Sequence, residues 1–327
     1  MICVDWRMCA PHEVAPLLAA ETQAWRRDLH WDVTEAWRVV EPARRAGQLP
    51  GFVARDERGP RGWTAFLLHG ASLQVLAFAA SDALASEALV DAILTSPEAA
   101  QAESVIFCVR AGASPLSQTL ATRGFQLDPY RYLSLDLTAL SHNPLPTTDS
   151  VRDASKGVRA WADDRDAFAD LCARAYAGST EVRAFAPSGS PDEWHDYVES
   201  LLGGPGCGWF RPEFSFVLPG ARGRALAGAV FVTDLGLSTA HVAQVVVDPA
   251  LRGRGVAQRL MHAAACAAAT SRFLRMTLLV SAVNRPAAAV YARMGFRDRA
   301  EFVVATRSQP SLSTRDALAT GGESTRL

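Results

Sequence analysis

The stretch QVVVDPALRGRGVAQRL, residues 244–260, joins a strand to a helix through a turn rich in glycine and arginine. Val245, Val246 and Val247 are β-branched and apolar, which predicts a strand. The strand stops at Asp248-Pro249, because proline donates no ladder hydrogen bond and its ring fixes φ. Arg252, Gly253, Arg254 and Gly255 then lead through Val256 and Ala257 into an alanine-rich helix. Glycines in such a turn let successive backbone N–H groups face one concavity with no Cβ in the way. The helix start adds unpaired N–H groups and the positive end of its dipole. The expected guest is a pyrophosphate, with Arg252 and Arg254 adding charge-assisted bonds at the rim. The segment is not the dinucleotide fingerprint, since residue 258 is Gln where a third glycine would stand, and the Gly-Lys-Ser/Thr ending of a P-loop is absent. A bare Gly-x-Gly turn would carry little weight; here the strand, the proline stop, the glycines and the helix fall in register.

Working outward, the second half of the chain predicts helices over 164–176 and 192–202, strands over 214–218 and 226–233, and a hairpin turn, PGARGR, between those strands. A strand over 240–247, a helix over 256–270, a strand over 274–280, a short helix over 286–294 and a strand over 302–306 follow. The first half predicts the same order: a helix over 14–27, strands over 52–55, 63–69 and 73–79, a helix over 86–94, a strand over 105–109, a helix over 115–123 and a strand over 132–137. Placing Gly124-Phe125 on Gly295-Phe296, a shift of 171 residues, sets Pro115 on Pro286 and ESVIFCVRA on LRMTLLVSA without a gap. The same shift sets the strand ending at Leu76 on the one ending at Val247, and agreement of two strands, a proline and a turn at one shift points to an internal repeat. The same shift sets Arg252, Gly255 and Ala257 on Ser81, Leu84 and Ser86, Asn284 on Ala113, and Tyr291 on Leu120. Fold-making residues recur in the first half while the phosphate-loop residues do not.

These readings divide the chain into a first domain over 1–140, a polar linker over 141–150 (SHNPLPTTDS), a second domain over 151–307 and a tail over 308–327 expected to be disordered. The 327 residues suffice for two cores, and 49% hydrophobic with 20% charged residues is ordinary for a globular protein. A net charge of −1 gives no electrostatic reason to expect nucleic acid or an anionic membrane. The N-terminus lacks a basic flank before an apolar run, and no apolar stretch is long enough to span a bilayer, so the expectation is a cytoplasmic protein. Six scattered cysteines show no metal-ligand spacing and predict reduced thiols; no metal is expected.

The motif over 252–257, with Arg252, Gly255 and Ala257 at its fixed positions, resembles the acetyl-CoA-binding Gln/Arg-x-x-Gly-x-Gly/Ala motif of the GNAT superfamily of N-acetyltransferases. Downstream, Asn284, Ala288, Tyr291 and Gly295-Phe296 resemble a second signature of that superfamily, and the resemblance covers about residues 151–306. It implies an α/β (α+β) chain of two tandem GNAT-like domains, each a mixed, mostly antiparallel sheet flanked by helices with a splayed parallel strand pair. The first would be a degenerate copy lacking the acetyl-CoA motif, an architecture similar to tandem members such as the mycothiol synthases.

The resemblance also implies the chemistry: acetyl-CoA as co-substrate, an acyl group passed to a primary amine by direct attack, and a small-molecule acceptor. A protein amine acceptor and a non-catalytic acetyl-CoA-binding regulatory module are the alternatives. Backbone groups of Val245, Val246 and Val247 with the turn residues Arg252, Gly253, Arg254, Gly255, Val256 and Ala257 would hold the cofactor, and Asn284 would contact its pantetheine arm or shape the exit of that arm. Tyr291 matches the general acid that protonates the leaving thiolate. His241, the titratable residue on the 240–247 strand, is the candidate base because its parity matches Val245 and Val247 and so predicts the same sheet face. By the same alternation Gln244 is expected on the opposite face. In the loop over 179–194 and just after it, Arg183, Asp192, Glu193, Trp194 and Tyr197 are candidates to read the acceptor, and Ser190-Pro191-Asp192-Glu193 equally suits a helix cap.

Overall fold

The structure, a computed structural model, describes residues 1–111, 116–138, 157–204, 206–220 and 225–309. The linker over 141–150, the turn residues 221–224, Ala113, Pro115 and the tail from residue 310 lie outside the described residues. In chain order the first elements are β1 (Ile2–Asp5), α1 (Pro11–Leu29), α2 (Thr34–Arg45), β2 (Gly51–Asp56), β3 (Gly59–His69), β4 (Ser72–Ala80) and α3 (Ala83–Leu94). They are followed by α4 (Pro97–Gln101), β5 (Ser104–Arg110), α5 (Leu116–Thr122) and β6 (Gln126–Asp136). The second half holds β7 (Arg159–Ala160), α6 (Arg165–Tyr176), α7 (Pro191–Gly203), β8 (Trp209–Phe210), β9 (Phe216–Pro219), β10 (Leu226–Asp234) and β11 (Thr239–Val247). It ends with α8 (Val256–Thr270), β12 (Arg275–Ser281), α9 (Arg285–Met294) and β13 (Arg297–Ser308). Every element predicted from periodicity is present; β1, α2, α4, β7 and β8 are additional, being short or patterned by charge rather than by apolar spacing.

The described residues fold into two compact units: those of Met1–Glu21 with Val39–Asp128 and 302–309, and those of Thr22–Arg38 with Pro129–Glu301. This grouping differs from a cut at the 141–150 linker by an exchange of closing strands and by Thr22–Arg38, which falls in the second unit. In the first unit β5 is paired antiparallel by the chain's last strand, Ser104–Arg110 against Phe302–Ser308. In the second, β12 is paired antiparallel by residues from before the linker, Arg275–Ser281 against Tyr130–Asp136. Each sheet therefore satisfies an edge with a segment that a cut at the linker would remove.

The sheets repeat one plan. In the second unit β9, β10 and β11 are antiparallel, and β11 then pairs parallel to β12 over Thr239–Val242 and Arg275–Leu278 before the two part. In the first unit β2, β3 and β4 are antiparallel, and β4 pairs parallel to β5 over Ser72–Val75 and Ser104–Phe107. A bulge follows the last parallel pair in both, at Ala243 and at Leu76. The turns at Gly124 (φ 77°) and Gly295 (φ 95°) also correspond, a left-handed conformation that glycine adopts without penalty.

The repeat corrects the single shift of 171. β5 and β12 do stand 171 residues apart, but β4 and β11, nine residues each, stand 167 apart. The difference lies in the connection to the next helix. Two residues, Ser81 and Asp82, join β4 to α3, whereas residues 248–255 join β11 to α8. Arg252 and Gly255 thus have no counterparts in the first unit, and the matches to Ser81, Leu84 and Ser86 do not hold. The phosphate turn is missing there, not mutated.

The core of the second unit lies on both faces of its sheet. On one face α8 buries Val256, Leu260, Met261, Ala264, Ala265 and Ala268, a stripe at helical spacing, against Ala240, Val242, Met276 and Leu278. Each large apolar side chain there contributes about 1.5–3 kcal/mol. On the other face α6 and α7 bury Phe168, Leu171, Cys172, Trp194 and Val198 against Phe231 and Val246. Gly228 on β10 sets the approach of α8, since a Cβ there would stand 2.8 Å from Val256 Cγ1.

Candidate active site

The turn after β11 is built from local bonds. Asp248 accepts at Oδ1 from the Ala250 N–H at 3.0 Å and at its carbonyl from Leu251 at 2.9 Å, closing a short 3-10 turn over Pro249–Leu251. Gly253 (φ 75°) and Gly255 (φ 74°) both take the left-handed conformation, which a side chain would strain. Gly255 occupies the N-cap of α8 and offers no side-chain cap. The Arg252 and Arg254 N–H groups are used inside the turn, donating to the Pro249 and Leu251 carbonyls. Those of Gly253, Gly255, Val256, Ala257 and Gln258 have no protein acceptor among the described residues. Five main-chain donors at one helix start form a cradle for an anion with several oxygens.

Arg254 is exposed, as expected of a rim residue. Arg252 is also exposed, but its Nη2 donates to the Ala175 carbonyl at 2.5 Å, so it ties the turn to the end of α6. That is a structural use that the sequence did not suggest.

The strand before the turn supplies the second part of the site. Asp248 N–H donates to the Ala227 carbonyl. In an antiparallel ladder bonded pairs alternate, so Val246 bonds to Ala229 while the N–H and C=O of Val245 and Val247 point away from β10. Beyond Val242 no β12 residue pairs with them. Val245 and Val247 therefore present the open edge of the splay. Val246, expected to bind cofactor with them, turns its main chain into the ladder and its side chain into the core against α6 and α7.

The bulge at Ala243 overturns the parity argument. Ala240 and Val242 before it, and Val245 and Val247 after it, all pack on the α8 face. His241 consequently lies on the opposite face from Val245 and Val247, and Gln244 shares that face with it. His241 is 3% exposed, its Nδ1 is 3.0 Å from Thr277 Oγ1, and its ring lies between Tyr132 and Trp31, with centroids 6.0 and 5.6 Å away. Burial pushes its pKa down to about 3. A dry, neutral imidazole of that basicity is poorly suited to take a proton from an ammonium near neutral pH, and these features mark a core side chain.

Gln244 is held on three sides. Its Oε1 accepts from Tyr176 Oη at 3.0 Å and from the Val245 N–H at 3.1 Å, and its Nε2 donates to Tyr197 Oη at 3.0 Å. Phe185, from the loop between α6 and α7, packs at a tilt with its ring centroid 5.3 Å from that of Tyr176 and 5.1 Å from that of Tyr197. Tyr291, on α9, is 5% exposed and packs 5.7 Å from Phe296, and its hydroxyl donates to no partner among the described residues. Burial raises its pKa, and the charge of Glu181 raises it further; the same carboxylate acts on Tyr176. Glu181 sits in a 3-10 turn over Thr180–Ala184, capped by Ser179. Sequence reading missed Glu181 and Tyr176, because nothing local marks residues that converge only through packing of α6 onto the sheet.

Other expected residues have structural duties. Asn284 Oδ1 accepts from Ala287 N–H at 3.2 Å as the N-cap of α9. Ser190 Oγ accepts from Glu193 N–H at 3.2 Å, while the Glu193 carboxylate accepts from the N–H groups of Ser188 and Gly189, so the cap reading of that segment holds. Trp194 is buried. A cleft of about 220 Å³ lined by Trp31, Asp32, Glu35, Trp209 and Asp234 opens at the far end of β11. Its carboxylates are paired, Asp32 with Arg26 and Asp234 with Arg211, and the length of β11, about 3.3 Å per residue, separates it from the phosphate turn. Among the described residues no cluster of three or more His, Cys, Asp or Glu could hold a metal, and no helix is long and apolar enough to cross a membrane.

The first unit answers the same helix start differently. Asp82 caps α3, its Oδ1 accepting from Ala85 N–H at 2.9 Å and its Oδ2 pairing with Arg61 at 2.6 Å. Those bonds hold its pKa down at about 2. An internal carboxylate fills the position where the second unit leaves bare amides.

The family model described as acetyltransferase (GNAT) family matches residues 179–296, so this segment is a GNAT acetyltransferase domain. The fold of the whole chain is similar to that of solved GNAT structures. A GCN5-related N-acetyltransferase from Sphaerobacter thermophilus aligns with a TM-score of 0.61 at 16% identity, over 95% of this chain and 97% of that one. A tandem GNAT protein from the clavulanic acid biosynthesis pathway aligns at 0.50 and 19% identity, over 80% and 84%. A GNAT-family acetyltransferase from Colwellia psychrerythraea aligns at 0.50 and 15%, over 94% and 100%. Among curated proteins none matches the chain.

Proposed function

We propose that the second unit is an acetyl-CoA-dependent N-acetyltransferase that acylates a primary amine of a small molecule, and that the first unit is a degenerate copy without a cofactor site. The observation that carries this reading is the row of main-chain donors at Gly253, Gly255, Val256, Ala257 and Gln258, set beside the open edge of Val245 and Val247. The row takes the diphosphate of the cofactor. The open edge bonds the pantetheine arm, and the Val245 N–H polarises the acyl carbonyl. Asn284 sits at the start of α9 and shapes the exit of that arm.

Tyr291, with an uncommitted hydroxyl and a raised pKa, keeps its proton until the thiolate leaves and then donates it. Glu181, whose charge reaches both Tyr176 and Tyr291, takes the place that sequence reading gave to His241: it attracts the acceptor's ammonium and receives its proton directly or through water. The aromatic cluster of Tyr176, Phe185 and Tyr197, bonded to Gln244 through both phenols, suits an acceptor with an apolar body next to its amine.

Thiol release measured with acetyl-CoA and a panel of small primary amines tests the reading, with Tyr291→Phe and Glu181→Gln as controls. Turnover that both variants depress supports it. Tight acetyl-CoA binding with no turnover on small amines or on lysine peptides would mark a binding module instead.

A further inference from the structure

Gln244 has a bond that the proposed reaction must break. Its Oε1 accepts from the Val245 N–H, the donor that faces the open splay and that the reading above assigns to the acyl carbonyl. The orientation of the carboxamide is fixed by chemistry, since the Val245 N–H only donates and so selects the oxygen. Tyr176 Oη and Tyr197 Oη hold the other two contacts, and all three residues sit in the packed face under α6 and α7. Both lone pairs of Oε1 are used, one by a phenol and one by the backbone. Of these bonds only the one to Val245 lies where a thioester arrives.

We propose that Gln244 is a latch on the thioester site: its carboxamide oxygen occupies the Val245 N–H before the cofactor binds, and the acyl carbonyl oxygen takes that N–H from it. The inference rests on the acetyl-CoA reading given above. The latch keeps the donor aimed into the splay and dry, so the carbonyl meets a preorganised N–H with no water to displace. Tyr176 and Tyr197 set the latch by fixing the side chain, so Gln244 is a positioning residue and not a catalytic one. The latch competes with acyl-CoA and is indifferent to free CoA, which has no carbonyl at that place.

Calorimetric titration of the full chain with acetyl-CoA and, separately, with CoA tests this. Gln244→Met removes the competing acceptor at similar volume; acetyl-CoA binding should tighten about two- to tenfold, the range of one neutral hydrogen bond, with CoA affinity unchanged. Gln244→Glu keeps the shape and strengthens the acceptor, so acetyl-CoA should weaken relative to CoA by a similar factor. Shifts of opposite sign in the acetyl-CoA to CoA ratio are an outcome that packing damage does not produce, since damage weakens both ligands together. Thermal melting identifies a variant that fails to fold, and the near-isosteric Gln244→Glu then carries the test alone. An unchanged ratio in the folded variants overturns the latch while leaving the cofactor site standing. A wild-type chain that binds neither nucleotide overturns both.

Discussion

Replacing Gly255 with aspartate isolates the proposed cofactor contact from the stability of the helix that carries it. Gly255 is the N-cap of α8 at φ 74°, with no heavy atom within 4 Å of where a Cβ would stand, so the new side chain meets no clash. Its conformational penalty is about 1–2 kcal/mol for a left-handed residue, and aspartate is among the residues that tolerate that region best. A capping bond to the bare N–H groups of Ala257 or Gln258 returns about 1 kcal/mol, so the melting temperature should move by only a few degrees. Binding is another matter. A carboxylate about 4 Å from a diphosphate oxygen costs roughly 4 kcal/mol at an effective dielectric of 20, before the captured amides are counted. Gly255→Asp should therefore weaken acetyl-CoA at least 100-fold by calorimetry, imposing on α8 what Asp82 imposes on α3. Acetyl-CoA binding within threefold of wild type, in a variant with an unchanged melt, would refute the reasoning.

Tyr291→Phe should lower kcat by about 10- to 100-fold with little change in the KM for acetyl-CoA, the signature of a lost proton donor, seen in steady-state thiol release. His241 is held neutral in the folded chain and titrates near its ordinary value when unfolded, so the unfolded state binds the extra proton between about pH 6.5 and pH 3. Stability from this group is complete above pH 6.5 and falls as pH drops; urea unfolding at pH 7 and pH 5 should differ by about 2 kcal/mol more in wild type than in His241→Gln. A chain ending at Glu301 removes the partner of β5, and the first unit should lose protease resistance and cooperative melting.

Much of this was legible locally. Residues 244–260 announce a strand, a stop, a turn and a helix through residue types whose effects reach no further than their neighbours. Tyr291 and the Gly295-Phe296 turn came instead from the resemblance of residues 283–296 to the second GNAT signature. What escaped the sequence is non-local. The bulge at Ala243 carries no compositional mark, yet one extra residue reverses every side chain beyond it, which is why His241 shares the face of Gln244 and not that of Val245 and Val247. The length of the β4–α3 connection could not be seen while one shift was imposed on the whole repeat. Exchange of closing strands depends on which edges meet in space, and the convergence of Tyr176, Tyr197 and Gln244 depends on α6 and α7 covering the sheet.

The amide signals of Gly253, Gly255, Val256, Ala257 and Gln258, followed by nitrogen–proton NMR as CoA is added, test the central claim most directly. The account predicts large saturable shifts and slowed exchange at these five, with the amides of Asp82 to Ala85 unmoved. Saturating CoA that leaves all five where they were would contradict it.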